Sequence, residues 1–252
     1  MSQKKTLLKY TKYVMWGTVA LIPPAAFFYL LEFYTHNPFA EVRPWAQLFN
    51  IVLFELLAGI FLCITGRLRT AYRIEGTAAL VFGLANAYVV RFRTNPLVPW
   101  DILSWRTAVS VSGNYDFTPD TRMIVVTILF LALIIGLQPV KFKIGRPGFF
   151  KRCLPGVVLG AVLVMFAGTL QQENFQNEHR LYNKLFTPVF MTQVDGIPVT
   201  FVMNLAYMSI EKPQKYSVGE AKEFLKKYEK PQETEESIDT ILEEEEKDTS
   251  DD

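Results

Sequence analysis

Four long stretches of this chain carry no charge or only one, and they constrain its fold more than any other feature. Tyr13 to Leu31, Met123 to Val140 and Leu154 to Gln172 contain no Asp, Glu, Lys or Arg, and Pro44 to Gly66 contains only Glu55. A helix rises about 1.5 Å per residue, so roughly 20 apolar residues cross about 30 Å of hydrocarbon. A fifth stretch, Ile74 to Val90, is uncharged from Gly76 onward and reaches the lower limit only by including Ile74 and Glu75. The pattern predicts an all-α, polytopic membrane protein with five transmembrane helices.

Lys and Arg in short loops stay on the cytoplasmic side. Lys4, Lys5, Lys9 and Lys12 precede the first span; Arg67, Arg69 and Arg73 separate the second from the third; Lys141, Lys143, Arg146, Lys151 and Arg152 separate the fourth from the fifth. Against these twelve, the opposite side holds five: Arg43, Arg91, Arg93, Arg106 and Arg122. The expected topology has the N-terminus in the cytoplasm and everything after about Gln172 outside. Tyr13 to Leu31 is longer than the apolar core of a secretory signal and lacks a small-x-small cleavage site, so it reads as a retained anchor. Pro23 and Pro24 stand mid-span and are expected to kink it. Cys63 and Cys153 fall on the cytoplasmic side, where no disulfide is expected.

The net charge of +1 hides a split. From Pro231 to Asp252 eleven acids face one base, Lys247, a net of −10, while residues 1–230 carry +11. The chain is therefore read as a five-span domain over 1–172, an extracellular connecting arm over 173–230, and an acidic disordered linker or tail over 231–252. Within the arm, Ser217 and Glu220 make a capping box, and Val218, Ala221, Phe224, Leu225 and Tyr228 line one face. This predicts an extracellular linker helix over 217–228, ended by Pro231.

The second outer loop, Arg91 to Arg122, holds the candidate site. Pro96 and Pro99 keep the chain extended, Asp101 is placed to cap a short helix through about Ser112, and Ile102, Trp105 and Val109 form one apolar stripe. At roughly 18 Å such a helix is too short to span and is expected in the outer interface, with Trp100 and Trp105 at headgroup depth. Arg91 and Arg93 run against the orientation trend and call for an anion. That anion is either a lipid phosphate, which guanidinium grips through two parallel bonds, or an internal acid such as Asp101. Arg91, Arg93, Trp100 and Asp101 are thus candidates for holding a lipid headgroup or structuring the loop. Glu55 and Asn86 are the intramembrane polar candidates: a membrane-buried acid is functional by default, and a bond to Asn86 would instead satisfy it structurally.

No motif names a reaction. His36 and His179 have no metal-ligand spacing, there is no Gly-rich phosphate loop and no G-x-S-x-G elbow, and Asp116, Asp120 and Asp195 are scattered. No basic face with interleaved aromatics fits nucleic acid. No catalytic residue and no metal ligand is assigned.

The stretch Arg91 to Tyr115, with its R-F-R-x-N-P-L-V-P-W-D core and S-G-N-Y end, resembles the outer loop after the third span in the lipoteichoic acid synthase family. These are membrane-bound phosphoglycerol transferases of the alkaline phosphatase and sulfatase superfamily. G-I-P-V-T-F-V-M-N-L at Gly196 to Leu205, followed by K-P-Q-K-Y-S at Lys212 to Ser217, resembles the segment joining that family's last span to its catalytic domain. The resemblance implies the cell membrane of a Gram-positive-type bacterium. It also implies membrane lipids such as phosphatidylglycerol as partners, and an extracellular catalytic domain of the same protein that carries a nucleophile and a divalent metal, manganese or magnesium. That domain lies outside this sequence, so the chain is expected to be the anchoring and linker portion of such an enzyme, which moves glycerolphosphate from phosphatidylglycerol to a growing polyglycerolphosphate chain. The alternatives are a small transporter or channel using Glu55 and the proline kink, against which an odd number of spans fits poorly with two inverted halves, or a non-catalytic membrane scaffold.

Overall fold

The computed structural model describes residues 20–104, 106, 113, 115–138, 140, 142, 149–184 and 187–208, with backbone alone over 149–152. The chain divides into two units, Met1–Met208 and Ser209–Asp252. The second lies outside the described residues, as do the helix expected over 217–228 and the acidic run.

Every regular element among the described residues is helical: α1 (Ile22–Glu32), α2 (Pro38–Glu41), α3 (Pro44–Thr65), α4 (Leu68–Arg93), α5 (Pro99–Leu103), α6 (Thr121–Gly136), α7 (Phe149–Leu170), α8 (Glu173–Glu178), α9 (Pro188–Asp195) and α10 (Ile197–Asn204), closed by a 3-10 turn at Leu205–Met208. Among the described residues two stretches, Pro44–Thr65 and Cys153–Leu170, are long and apolar enough to cross a membrane. The first and fourth segments form shorter apolar helices, α1 and α6, and Tyr13 to Val19 lies outside the described residues. The marginal segment becomes α4, 26 residues and roughly 39 Å long, with arginines at both ends.

Local chemistry sets the boundaries. Pro44 opens α3, where its missing donor is harmless, and Gly66 closes it in the left-handed region with its N–H on the Leu62 carbonyl. Asp120 caps α6 by accepting from the Met123 N–H. Ala20 is helical and Leu21, with φ of −80° and ψ of −13°, interrupts the helix just before the proline pair. Pro23 and Pro24 fall in the first turn of α1, where a helix tolerates them.

α3 packs against α7 and α4, α1 against α4 and α3, and α6 against α4. The core joins Phe27, Phe28 and Leu31 of α1 to Phe54 of α3, Tyr72 of α4 and Phe130 of α6, with the Phe27 and Phe130 rings stacked at 6.2 Å. The stretch after α7, which sequence periodicity leaves irregular, folds into α8, α9 and α10. Its Met191, Ile197, Val199 and Met203 are buried in the same core.

Candidate functional site

The outer loop is built on the end of α4. Thr94, with φ of 56°, stops the helix, and the chain runs extended into α5. Arg93 presents its guanidinium fork to Asp101, with Nη1 2.7 Å from Oδ1 and Nη2 on the other oxygen, and Nη2 also donates to the Pro96 carbonyl at 3.0 Å. Asp101 in turn accepts the Val98 N–H at 2.8 Å. Asp101 is thus in the first turn of α5 and not its N-cap, which is Val98. Ser104 closes α5, Arg106 beyond it is again helical, and the rest of the stretch expected to be helical through about Ser112 lies outside the described residues. Trp105 and Val109 of the expected stripe lie outside the described residues, and Trp100 is exposed.

Arg91 donates to the Thr118 carbonyl at 2.6 Å and stands 3.5 Å from Asp116. Hydrogen bonds from Thr118, with Arg91 adding its charge, hold the Asp116 carboxyl below its usual range. Arg43 donates to the Arg180 carbonyl, and Arg122 to the Thr35 carbonyl at 2.9 Å. Arg106 is engaged as well. Arg43, Arg91, Arg93 and Arg122 are therefore occupied by the chain's own acceptors.

The intramembrane candidates do not meet. Asn86, 1% exposed, gives its side-chain oxygen to the Leu97 N–H at 2.8 Å and so ties the outer loop to α4. The Glu55–Asn86 bond that would have satisfied the acid structurally is not formed; the Asn86 side-chain oxygen is taken by the Leu97 N–H. Glu55 instead lies within electrostatic reach of Glu75 and Tyr72. Glu75 is 2% exposed, and neither its oxygens nor Glu55 Oε1 has a hydrogen-bond partner among the described residues.

A third polar cluster was not singled out from the sequence. Glu32, Asn50 and Asp195 are fully buried. Glu32 Oε1 accepts the Ile197 N–H at 2.7 Å, and Asn50 clasps both sides of the α9–α10 junction, accepting the Val199 N–H at 2.9 Å and donating to the Asp195 carbonyl at 2.8 Å. Asp195 accepts the Tyr182 N–H at 2.6 Å, and the Arg43 N–H meets the Val194 carbonyl at 2.9 Å. His36 Nε2 is 3.1 Å from Glu32 Oε2, off hydrogen-bond alignment. Between these groups sits Gly196 at φ of +80°, where an added Cβ would lie 2.5 Å from Asn50 Nδ2. Burial pushes the Asp195 carboxyl up to about 7 against the opposing Tyr182 N–H and Arg43. Burial likewise raises Glu32 against His36 and Ile197. Asn50 inside an apolar run and Glu32 closing another are the signals that could have found this cluster; their partners, 145 and 165 residues away, could not be paired from sequence.

Among the described residues no group of three His, Cys, Asp or Glu comes together to hold a metal. No protein-family model, curated protein or solved structure matches the chain.

Proposed function

We propose that this chain is the five-span membrane and linker module of a phosphoglycerol transferase like the lipoteichoic acid synthases, with its N-terminus in the cytoplasm and its arm outside. One observation carries the reading. The segment resembling that family's connection to its catalytic domain, Gly196 to Leu205, is seated on Glu32 and Asn50 through buried hydrogen bonds. A connection clamped in this way holds whatever follows near the outer leaflet, which raises its effective concentration toward a lipid headgroup and limits the directions it can face.

The membrane part of the reading rests on α7. Its apolar window is only 6% buried, and Leu154, Val157, Val164 and Met165 are each more than two-thirds exposed. A helix in a water-soluble core hides such a face; a lipid-facing one does not. Among the described residues no metal cluster comes together; in this reading their role is to position, and no chemical step is assigned to them. In liposomes containing fluorescent phosphatidylglycerol and manganese, the complete protein encoded by the gene releases diacylglycerol, while residues 1–252 alone release none. Release by residues 1–252 alone, or none by the complete protein, overturns the proposal.

A second reading, a proton or cation transporter, is favoured by the unpartnered Glu55 and Glu75 carboxyls. Its signature is dissipation of a pH gradient in proteoliposomes that Glu75→Gln abolishes.

A further inference from the structure

One face of α4 has no described residue packed against it. Arg73, Thr77, Ala78, Val81, Ala85 and, at the outer end, Ile102 line an open groove of about 760 Å³. Residues 73, 77, 81 and 85 recur every four positions and so lie along one side of the helix. From Arg73 to Ala85 the groove runs roughly 18 Å, a little more than half of the about 30 Å hydrocarbon thickness. Its wall is apolar and open, with Val81 59% exposed. At its inner end Arg73 forms no hydrogen bond or ion pair with any described residue. Arg69, one turn away, is by contrast committed to the Val140 carbonyl at 3.2 Å.

We infer that this groove is a lipid site: it takes one acyl chain of an anionic phospholipid whose phosphate sits on the Arg73 guanidinium. The length matches one leaflet's reach, and the single cation stands where a headgroup of that leaflet would be. A net negative headgroup complements it better than a zwitterionic one, in which the second charge opposes the guanidinium. A second copy of the chain is the poorer occupant. Two chains inserted the same way and related by a two-fold axis would bring Arg73 against Arg73 at membrane depth.

The inference rests on the membrane-spanning reading and is independent of the transferase activity. The probe is a nanodisc of equal parts palmitoyl-oleoyl phosphatidylserine and phosphatidylcholine, neither of which donates phosphoglycerol, with the full chain released into native mass spectrometry. The expected result is one retained lipid, predominantly phosphatidylserine. Arg73→Gln lowers the phosphatidylserine-to-phosphatidylcholine ratio about fivefold while a lipid is still retained. Ala78→Trp, which fills the groove, strips both. Equal retention of the two lipids by the unaltered chain, undiminished retention in Ala78→Trp, or a dimer in place of the lipid adduct overturns it. A spin label on Val81→Cys separates the two levels. Relaxation by oxygen without lipid selectivity sinks the groove and leaves the membrane reading standing; relaxation by a water-soluble nickel chelate sinks both.

Discussion

At the residue scale, the most constrained position is Gly196. Its positive φ belongs to backbone that L side chains avoid, and a Cβ would strike the amide of Asn50 and crowd Glu32. Gly196→Ala is expected to cost about 2–4 kcal/mol, strain plus a disturbed buried hydrogen bond, read as a lower thermal midpoint in detergent. The carboxyl beside it makes this junction sensitive to pH. A free Asp titrates near about 3.9, and Asp195 in the fold near about 7, so folding favours its protonated form. Its contribution is full below about pH 4 and is lost as pH rises through about 7, on the order of 4 kcal/mol in all. Glu32, raised by burial as well, acts in the same direction. Midpoints measured across that range should fall with pH, and Asp195→Asn, which keeps an acceptor for Tyr182, should flatten the slope. A wild-type profile already flat across it would contradict the assignment. The sequence offered either Asp101 or a lipid phosphate as the anion for Arg93, and the structure forms the internal pair, eight residues apart across a proline-stiffened turn. The sequence hid Glu32, Asn50 and Asp195 because nothing local distinguishes a polar residue that bonds a backbone from a distant element.

At the element scale, α4 explains why the third segment looked marginal. Beside Tyr72, Glu75 and Asn86, its buried face carries Ala71, Gly76, Ala79, Gly83 and Ala87, residues too small to raise hydropathy but small enough to let α1 press its aromatics against the helix backbone. A Cβ on Gly76 would lie 2.6 Å from the Phe27 ring, and one on Gly83 2.8 Å from Tyr34. The weak apolar signal is the packing signal. Gly83→Val should therefore separate α1 from α4 and destabilise the protein by about 1–3 kcal/mol, whereas Ala85→Val on the open face should change it by less than about 0.5 kcal/mol. Equal losses at the two sites in a denaturant or thermal series would refute the close contact. The helices of the arm could not be read in the same way. α9 and α10 are eight residues each, opened by Pro188 and Pro198, and two turns are too few for a 3.6-residue period to show. Their proline starts and the Gly196 between them are the marks that sequence does carry.

At the scale of the whole molecule, the hydrogen bonds between elements sort into two ends. Arg43 with Arg180, Arg91 with Thr118, Arg122 with Thr35 and Tyr88 with Phe117 lie at one; Arg69 with Val140, Leu68 with Phe142 and Tyr72 with Ala20 lie at the other. The first end holds Arg43, Arg91, Arg93 and Arg122, each bonded to a carbonyl or a carboxylate of the chain. Two of these, Arg91 and Arg93, stand against carboxylates and so add no net charge to their loop. Two exposed positions separate the possible orientations: Ala40, between α1 and α3 at the first end, and Gln138, after α6 at the second. In a background carrying Cys153→Ser, with Cys63 buried, Ala40→Cys should react with a membrane-impermeant maleimide in intact cells, and Gln138→Cys only after lysis. The reverse pattern would invert the topology. Reaction of both in intact cells would mean that an even number of α3, α4 and α6 cross between the two positions, against the three that the five-span reading requires.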